Sequence, residues 1–256
     1  MSAYTDLDVR MKEFYEFIPK TKLMRRTPVI LRIDGKAFHS FTKSFKKPFD
    51  EILINSMQET MKYLCENIQG CVLGYTQSDE ISLLLVDYKK LNSSAWFDYE
   101  VQKLCSVSAS MATLAFNKAL YENIPIDTDT EGVYYMALEK GAMFDARCFN
   151  IPKEEVASKN SVQMLGRAYF SHKELHNKNG SQIQDMLMLE KGINWNNLPT
   201  TQKRGSCCIK QEYAYPDEFM QTHQWRTRWI IDNEIPIFKG EDRNYIEGLI
   251  YFENEC

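Results

Sequence analysis

The sequence predicts an α+β fold whose first part follows the ferredoxin-like order β-α-β-β-α-β, with helical and β-hairpin additions toward the C-terminus. Two observations carry this prediction. Short apolar runs bounded by turns alternate with longer stretches whose apolar residues step by three and four. Two acidic turns also close strand-like runs. Arg32-Ile33-Asp34-Gly35 follows Val29-Ile30-Leu31, and Ser78-Asp79-Glu80 separates the apolar runs 71–75 and 81–86.

The elements follow in order. Leu7, Met11, Phe14 and Ile18 recur at helical spacing, and Pro19 closes the run. Residues 28–34 read as a short buried strand. Leu53, Met57, Met61, Leu64 and Ile68 mark one face of a helix that starts near Pro48 and stops at Gly70. Strands follow at 71–76 and 81–87. A long helix is expected over 96–122, with Phe97, Val101, Leu104, Ser108, Met111, Ala115 and Ala119 on one face. Residues 141–149 read as a strand. Beyond Pro152 the chain turns helical through about Asn177, breaks at Asn179-Gly180, and resumes helix near 181–190. After a loop over 192–199, strands at 207–213 and 227–232 form a late hairpin. No repeat or low-complexity linker interrupts the chain. The expected organisation is a catalytic sheet domain over 1–150, with a helical and hairpin extension over 151–256 that packs on it rather than folding alone.

In this topology the third strand lies antiparallel between the first two. The end of strand one then sits beside the start of strand three, so Asp34 and Asp79 become neighbours at one sheet edge. Two such carboxylates can hold two Mg²⁺ ions, an arrangement suited to phosphoryl or nucleotidyl transfer. Gly35 permits a tight turn and could add its carbonyl as a ligand, or serve as an ordinary turn glycine. Glu80 either supports the metals or faces solvent. The loop with Phe38, His39, Phe41 and Phe45 either wraps a nucleotide with its backbone N–H groups or supplies core phenylalanines and a surface histidine. Lys46 and Lys47, ahead of a helix, either meet a triphosphate or face solvent.

Composition narrows the class. Hydrophobic residues at 44% and charged residues at 26% of 256 are ordinary globular values, sufficient for one large domain or two small ones. The N-terminus lacks a basic-then-apolar leader, and no apolar run approaches the ~18 residues of a membrane span. A soluble, cytoplasmic protein without membrane contact is expected. The net charge of −4 argues against blanket polyanion affinity. Any such site must be a local patch, with candidates Lys20/Lys22/Arg25/Arg26, Lys43/Lys46/Lys47, Lys203/Arg204 and Arg226/Arg228. The seven cysteines are odd in number and lack CxxC spacing, which argues against a zinc site or disulfide framework. Cys65 and Cys105 fit helical core positions, and Cys207-Cys208 fits a strand. No GxxxxGK[ST], GxSxG or HExxH sequence occurs. His172 and His176, four apart on a predicted helix, could share a metal but lack a nearby third ligand.

Taken together, the motifs resemble the tRNA-His guanylyltransferase family and its guanylyltransferase-like 3′–5′ polymerase branch. The likeness rests on Arg32-Ile33-Asp34-Gly35-Lys36-Ala37-Phe38-His39-Ser40-Phe41, Lys47-Pro48-Phe49-Asp50 and Tyr75-Thr76-Gln77-Ser78-Asp79-Glu80. Trp96-Phe97 with Lys103, Phe144-Asp145-Ala146-Arg147, and Gly192-Ile193-Asn194-Trp195-Asn196 extend it. The resemblance implies a polymerase-type palm that extends RNA at its 5′ end. It implies catalytic Asp34 and Asp79, with two Mg²⁺ ions held by Asp34, Asp79 and the Gly35 carbonyl. It places nucleotide contacts at Asp34, Gly35, Lys36, Ala37, Phe38, His39, Ser78 and Asp79, with Lys47 near the triphosphate. It further implies GTP and ATP as substrates, tRNA as partner, and a homotetramer built from dimers.

One departure bears on the substrate. Where eukaryotic members carry His-Ile-Asn-Asn, this chain reads Ala157-Ser158-Lys159-Asn160-Ser161. The chain therefore looks more like the repair-type branch of bacteria, archaea and phages. Templated repair of 5′-truncated tRNA is the expected role, with dedicated guanylate addition to tRNA-His as the alternative. Two rivals fit less well. A diguanylate-type cyclase would show a Gly-Gly-acid-Glu-Phe turn where this chain has Gln77-Ser78-Asp79-Glu80-Ile81. A non-catalytic RNA-binding module would show mid-strand aromatics and an RNP1 sequence.

Overall fold

β1 (Val29–Gly35) sets the frame. Its alternation buries Val29, Leu31 and Ile33 completely on one face and turns Ile30, Arg32 and Asp34 to the other. The computed structural model describes residues 6–125, 131–151, 172–217, 222–238 and 240–250. β2 (Cys71–Gln77), β3 (Glu80–Leu85) and β4 (Phe144–Asn150) join β1, and β3 lies antiparallel between β1 and β2. The full order is β4-β1-β3-β2-β5-β6, and its first four strands have the expected ferredoxin-like arrangement.

Two helices cover one face of this sheet. α3 (Glu51–Asn67) starts at Asp50, whose carboxylate accepts the Leu53 N–H at 3.0 Å. Its Met57, Met61, Leu64 and Cys65 are buried against β2. Gly74 makes that approach possible, since a Cβ there would crowd Met61 and Cys65. α4 (Val101–Asn123) buries Leu104, Ala112, Phe116 and Leu120. Phe38, Phe116 and Phe144 pack ring to ring beside them, with centroids 5.0–5.4 Å apart. Truncating such a buried ring costs about 3–5 kcal/mol.

Several elements depart from expectation. α4 begins at Val101 rather than near 96. Trp96–Tyr99 forms a separate 3-10 turn in which Phe97, Asp98 and Tyr99 have φ of 47°, 50° and 55°. Asp98 holds that turn through ion pairs with Lys22 and Arg25. Trp96 and Tyr99 take the buried positions, and Phe97 is left partly exposed. α5 (Glu131–Lys140) precedes β4 and had no sequence expectation. The N-terminal apolar stripe does form helix, α1 (Asp6–Met11) running into a wider turn over Lys12–Glu16. Its Leu7, Met11, Phe14 and Ile18 are exposed, so the stripe is not part of the core among the described residues.

The helix expected beyond Pro152 falls mostly on 152–171, outside the described residues. α6 (His172–Leu175) and α7 (Gly180–Lys191) follow. Asn179 accepts the Gln182 N–H while Gln182 reaches back, so the apparent break is a capping box that starts α7. α8 (Thr200–Arg204) leads into β5 (Ser206–Asp217), which pairs with β6 (Thr222–Asp232). The hairpin is continuous with the first sheet, through Thr76↔Ser206, Tyr75↔Cys207 and Gly74↔Cys208. Cys207 and Cys208 are fully buried there. α9 (Asn244–Ile250) brings Ile246 and Ile250, with Ile235, over Ile30, Val72, Leu84 and Val86 on the sheet's second face. That cover lies at the end of β1 opposite Asp34, so among the described residues the acidic end of the second face stays open.

Candidate active site

The two acidic turns meet through their backbones. The Gly35 N–H donates to the Asp79 carbonyl at 3.0 Å. The sheet register then places Asp34 directly opposite Glu80 on β3 and Asp145 on β4. By strand alternation these three carboxylates share the open face. A second row lies behind them, with Arg32 opposite both Arg147 and Ser82. Arg32 Nε pairs with Glu80 Oε1 at 3.2 Å. Arg147 Nη2 lies 3.3 Å from Asp145 Oδ1 and 3.8 Å from Asp34 Oδ2.

Like charges directly opposite across strands are destabilising. Burial first, then the charges of Asp79, Glu80 and Asp145, push the Asp34 carboxyl above its ordinary value, against the opposing pull of Arg147. A half-buried acid crowded by other acids at a strand end is a site that attracts cations. Among the described residues, no group of three or more His, Cys, Asp or Glu is placed to hold an ion unaided. Mg²⁺ does not need one, because it binds one or two carboxylates and completes its octahedron with water and phosphate oxygens. Asp34, Asp79 and the Gly35 carbonyl fit that demand.

The turns themselves carry strain. Ser78 has φ 58° and Ala37 φ 55°, conformations that side-chain-bearing residues seldom adopt and that cluster at functional sites. The Ser78 hydroxyl donates to Asp79 Oδ1 at 2.8 Å, which orients that carboxylate. Ala37 turns β1 into α2 (Phe38–Phe41). The first N–H groups of any helix lack partners within it, and here they belong to the turn beside Asp34. The Lys36 N–H is already used, donating to the Met143 carbonyl at 2.8 Å. Phe38 and Phe45 are buried core residues and His39 is exposed, so these side chains follow the structural alternative. Phe38 also explains Gly35, where a Cβ would overlap the Phe38 ring.

Lys47 is exposed, and its Nζ donates to the Thr42 carbonyl at 3.0 Å. Its loop is anchored by buried Asp50, which accepts the Lys46 N–H at 2.9 Å and the Tyr134 hydroxyl at 2.8 Å. Lys103 lies over the Phe97 ring at 5.7 Å. α6 ends at Leu175, so His176 lies beyond the helix that holds His172 and the pair does not share it. Asp145 and Arg147 were not foreseen as site residues. Their Asp-x-Arg spacing on a strand places both on one face, and the register of β4 on β1 brings that face to Asp34.

An antiparallel palm with helices on one face and paired strand-end carboxylates on the other defines a palm-type nucleotidyltransferase. The sequence profile of the tRNAHis guanylyltransferase family matches residues 8–152, and the chain belongs to that family. It is accordingly a nucleotidyltransferase of the tRNA guanylyltransferase-like kind. A bacterial tRNA(His) guanylyltransferase-like protein in complex with ATP is 44% identical, with a TM-score of 0.77 over 96% of this chain and 99% of that one. A second such bacterial structure, in complex with GTP, is 40% identical, with a TM-score of 0.75 over 97% and 100%. The probable tRNA(His) guanylyltransferase of Drosophila melanogaster is 26% identical over 75% of this chain and 70% of its own. An uncharacterized protein of Acanthamoeba polyphaga mimivirus is 29% identical over 79% and 76%.

Proposed function

We propose that this chain is a Mg²⁺-dependent enzyme that adds nucleotides to the 5′ end of tRNA in the 3′–5′ direction, with templated repair of 5′-truncated tRNA as its preferred role. The contact of the Asp34 and Asp79 turns at one edge of the palm carries this reading. The ATP and GTP complexes of the similar bacterial proteins support both nucleotides as substrates.

In this reading Asp34, Asp79 and the Gly35 carbonyl hold the ions, and Ser78 keeps the Asp79 carboxylate oriented. When bound, the ions lower the pKa of an attacking hydroxyl and neutralise the triphosphate. The α2 turn, from Lys36 through His39, lies against the nucleotide phosphates, and Lys47 supplies a point charge to them. A 5′-monophosphorylated RNA is first activated by a nucleoside triphosphate, releasing pyrophosphate. The 3′-hydroxyl of the incoming nucleotide then attacks that 5′ phosphate and displaces the activating nucleotide. An RNA that already carries a 5′ triphosphate needs no activation.

Templating fits a site that positions rather than reads bases, since a correct pair alone aligns the attacking hydroxyl. The stretch Ala157 to Ser161 that favours repair lies outside the described residues. The names of curated relatives favour the second reading, dedicated guanylate addition to tRNA-His. We also propose a homotetramer, in keeping with the exposed apolar stripe of α1, and a cytoplasmic location. No described helix is long and apolar enough to cross a membrane. The pairing of β5 with β2 supports residues 151–256 as an extension of the 1–150 domain rather than an independent unit.

The deciding experiment uses a tRNA lacking its first nucleotide, with the opposing base varied among C, G, A and U. The added nucleotide should change with that base. Constant G addition would favour the dedicated guanylyltransferase, and growth at the 3′ end would reject both readings.

A further inference from the structure

We propose that Arg147 is an internal counter-cation that competes with divalent metal for the Asp34 carboxylate. The inference rests on the reading of Asp34 as a metal ligand. Its own ground is the geometry of the second row of the open face. Arg147 Nη2 donates to Asp145 Oδ1 at 3.3 Å and stands 3.8 Å from Asp34 Oδ2, so its charge lies against the carboxylate that a metal ion on Asp34 would share.

The two arginines of that row differ. Arg32 is held between Glu80 Oε1 and the Phe149 ring, 5.8 Å from its guanidinium carbon. Arg147 lies 3.3 Å from Asp145 and 3.8 Å from Asp34, and its side chain is 59% exposed against 34% for Arg32. Exposed pairs of this kind are weak and easily exchanged. Arg147 is therefore the cation able to leave. Where it can go matters. A bare ion leaves the displaced guanidinium only Asp145, whereas an ion arriving with a triphosphate brings further oxygens that suit a guanidinium fork. Arg147 thus discriminates against metal alone and favours metal that comes with nucleotide.

The test measures Mn²⁺ affinity directly in the full chain without nucleotide, from the electron paramagnetic resonance signal of free Mn²⁺. Wild type, Arg147→Gln, Arg147→Lys and Asp34→Asn are compared at low and high salt, with thermal melts as a check on folding. Arg147→Gln should bind Mn²⁺ roughly threefold to tenfold more tightly at low salt, the size expected of one screened charge beside a half-exposed site. The gain should shrink at high salt, and Arg147→Lys should stay near wild type. A merely structural role for Arg147 would produce neither trend. Equal or weaker Mn²⁺ binding by a well-folded Arg147→Gln overturns the proposal while leaving Asp34 as a ligand. Undiminished Mn²⁺ binding by Asp34→Asn removes the metal assignment itself, and the proposal with it.

Discussion

The Tyr134 hydroxyl donates to Asp50 Oδ2 at 2.8 Å, and both side chains are buried. Burial first, and then Asp50, push the Tyr134 hydroxyl well above its ordinary value. The same carboxylate caps α3 and holds the Lys46 N–H. Tyr134→Phe should cost about 1–2 kcal/mol by removing one partner of a buried charge. Asp50→Ala should cost about 2–4 kcal/mol, because the cap and the other donors are lost together. Thermal melts read both. Tyr134→Phe should also raise the KM for GTP more than it lowers kcat, because it loosens the loop that carries Lys47. An unchanged KM would separate the clamp from nucleotide binding.

Asp34→Ala and Asp79→Ala should each reduce nucleotide addition by about a hundredfold or more while the protein stays folded. The two turns touch, but each carboxylate is proposed to hold its own share of the ions. Addition to a 5′-truncated tRNA, measured with Mg²⁺, gives the rate. Near-normal turnover in either variant would contradict the metal assignment.

The crowding of Asp34 has a sign that pH can read. Its folded-state value is raised above 3.8, so the folded chain holds the proton more tightly than the unfolded one. Stability from this group is therefore present at low pH and lost as pH rises through the raised value. With metal chelated, Asp34→Asn should melt above wild type at neutral pH, and the advantage should fade on acidification into the ordinary carboxylate range. An advantage that grows on acidification would reverse the assigned cause.

Lys47→Ala should weaken use of the incoming nucleotide more than binding of RNA. A lysine offers a point charge to a triphosphate, whereas RNA affinity is spread over many phosphate contacts. The GTP dependence of addition and the dissociation constant for tRNA separate the two. A loss confined to RNA binding would move Lys47 out of the nucleotide site.

Much of the palm was legible in the chain because its elements are locally encoded. Val29-Ile30-Leu31 and the 81–86 run read as strands, and the β-α-β-β order alone placed Asp34 beside Asp79. The remainder depends on contacts distant in sequence. The Trp96–Tyr99 turn has apolar residues at helical spacing, and its partners for Asp98 lie on Lys22 and Arg25. The β5–β2 pairing spans more than a hundred residues. Asp145 and Arg147 fall in a stretch that extends the family resemblance without a role of their own, and their place at the site comes from the register that sets them against Asp34. Phe38 was ambiguous because a buried ring and a nucleotide-facing ring leave the same residue in the sequence.

The open face of β1 has a consequence for which changes in chain length it can absorb. Ile33 lies among the helices and Asp34 faces outward, one residue apart. Because strand side chains alternate, inserting or deleting a single residue within β1 would exchange the two faces beyond that point. Asp34 would turn toward Phe116 and Phe144, and Ile33 would turn toward water. The fold and the chemistry would be disturbed together unless the extra residue were taken up as a bulge. The register of β1 on β3 and β4 is unbroken, unlike that of β2, which shifts between Cys71 and Leu73, so β1 is the strand more open to substitution than to indels.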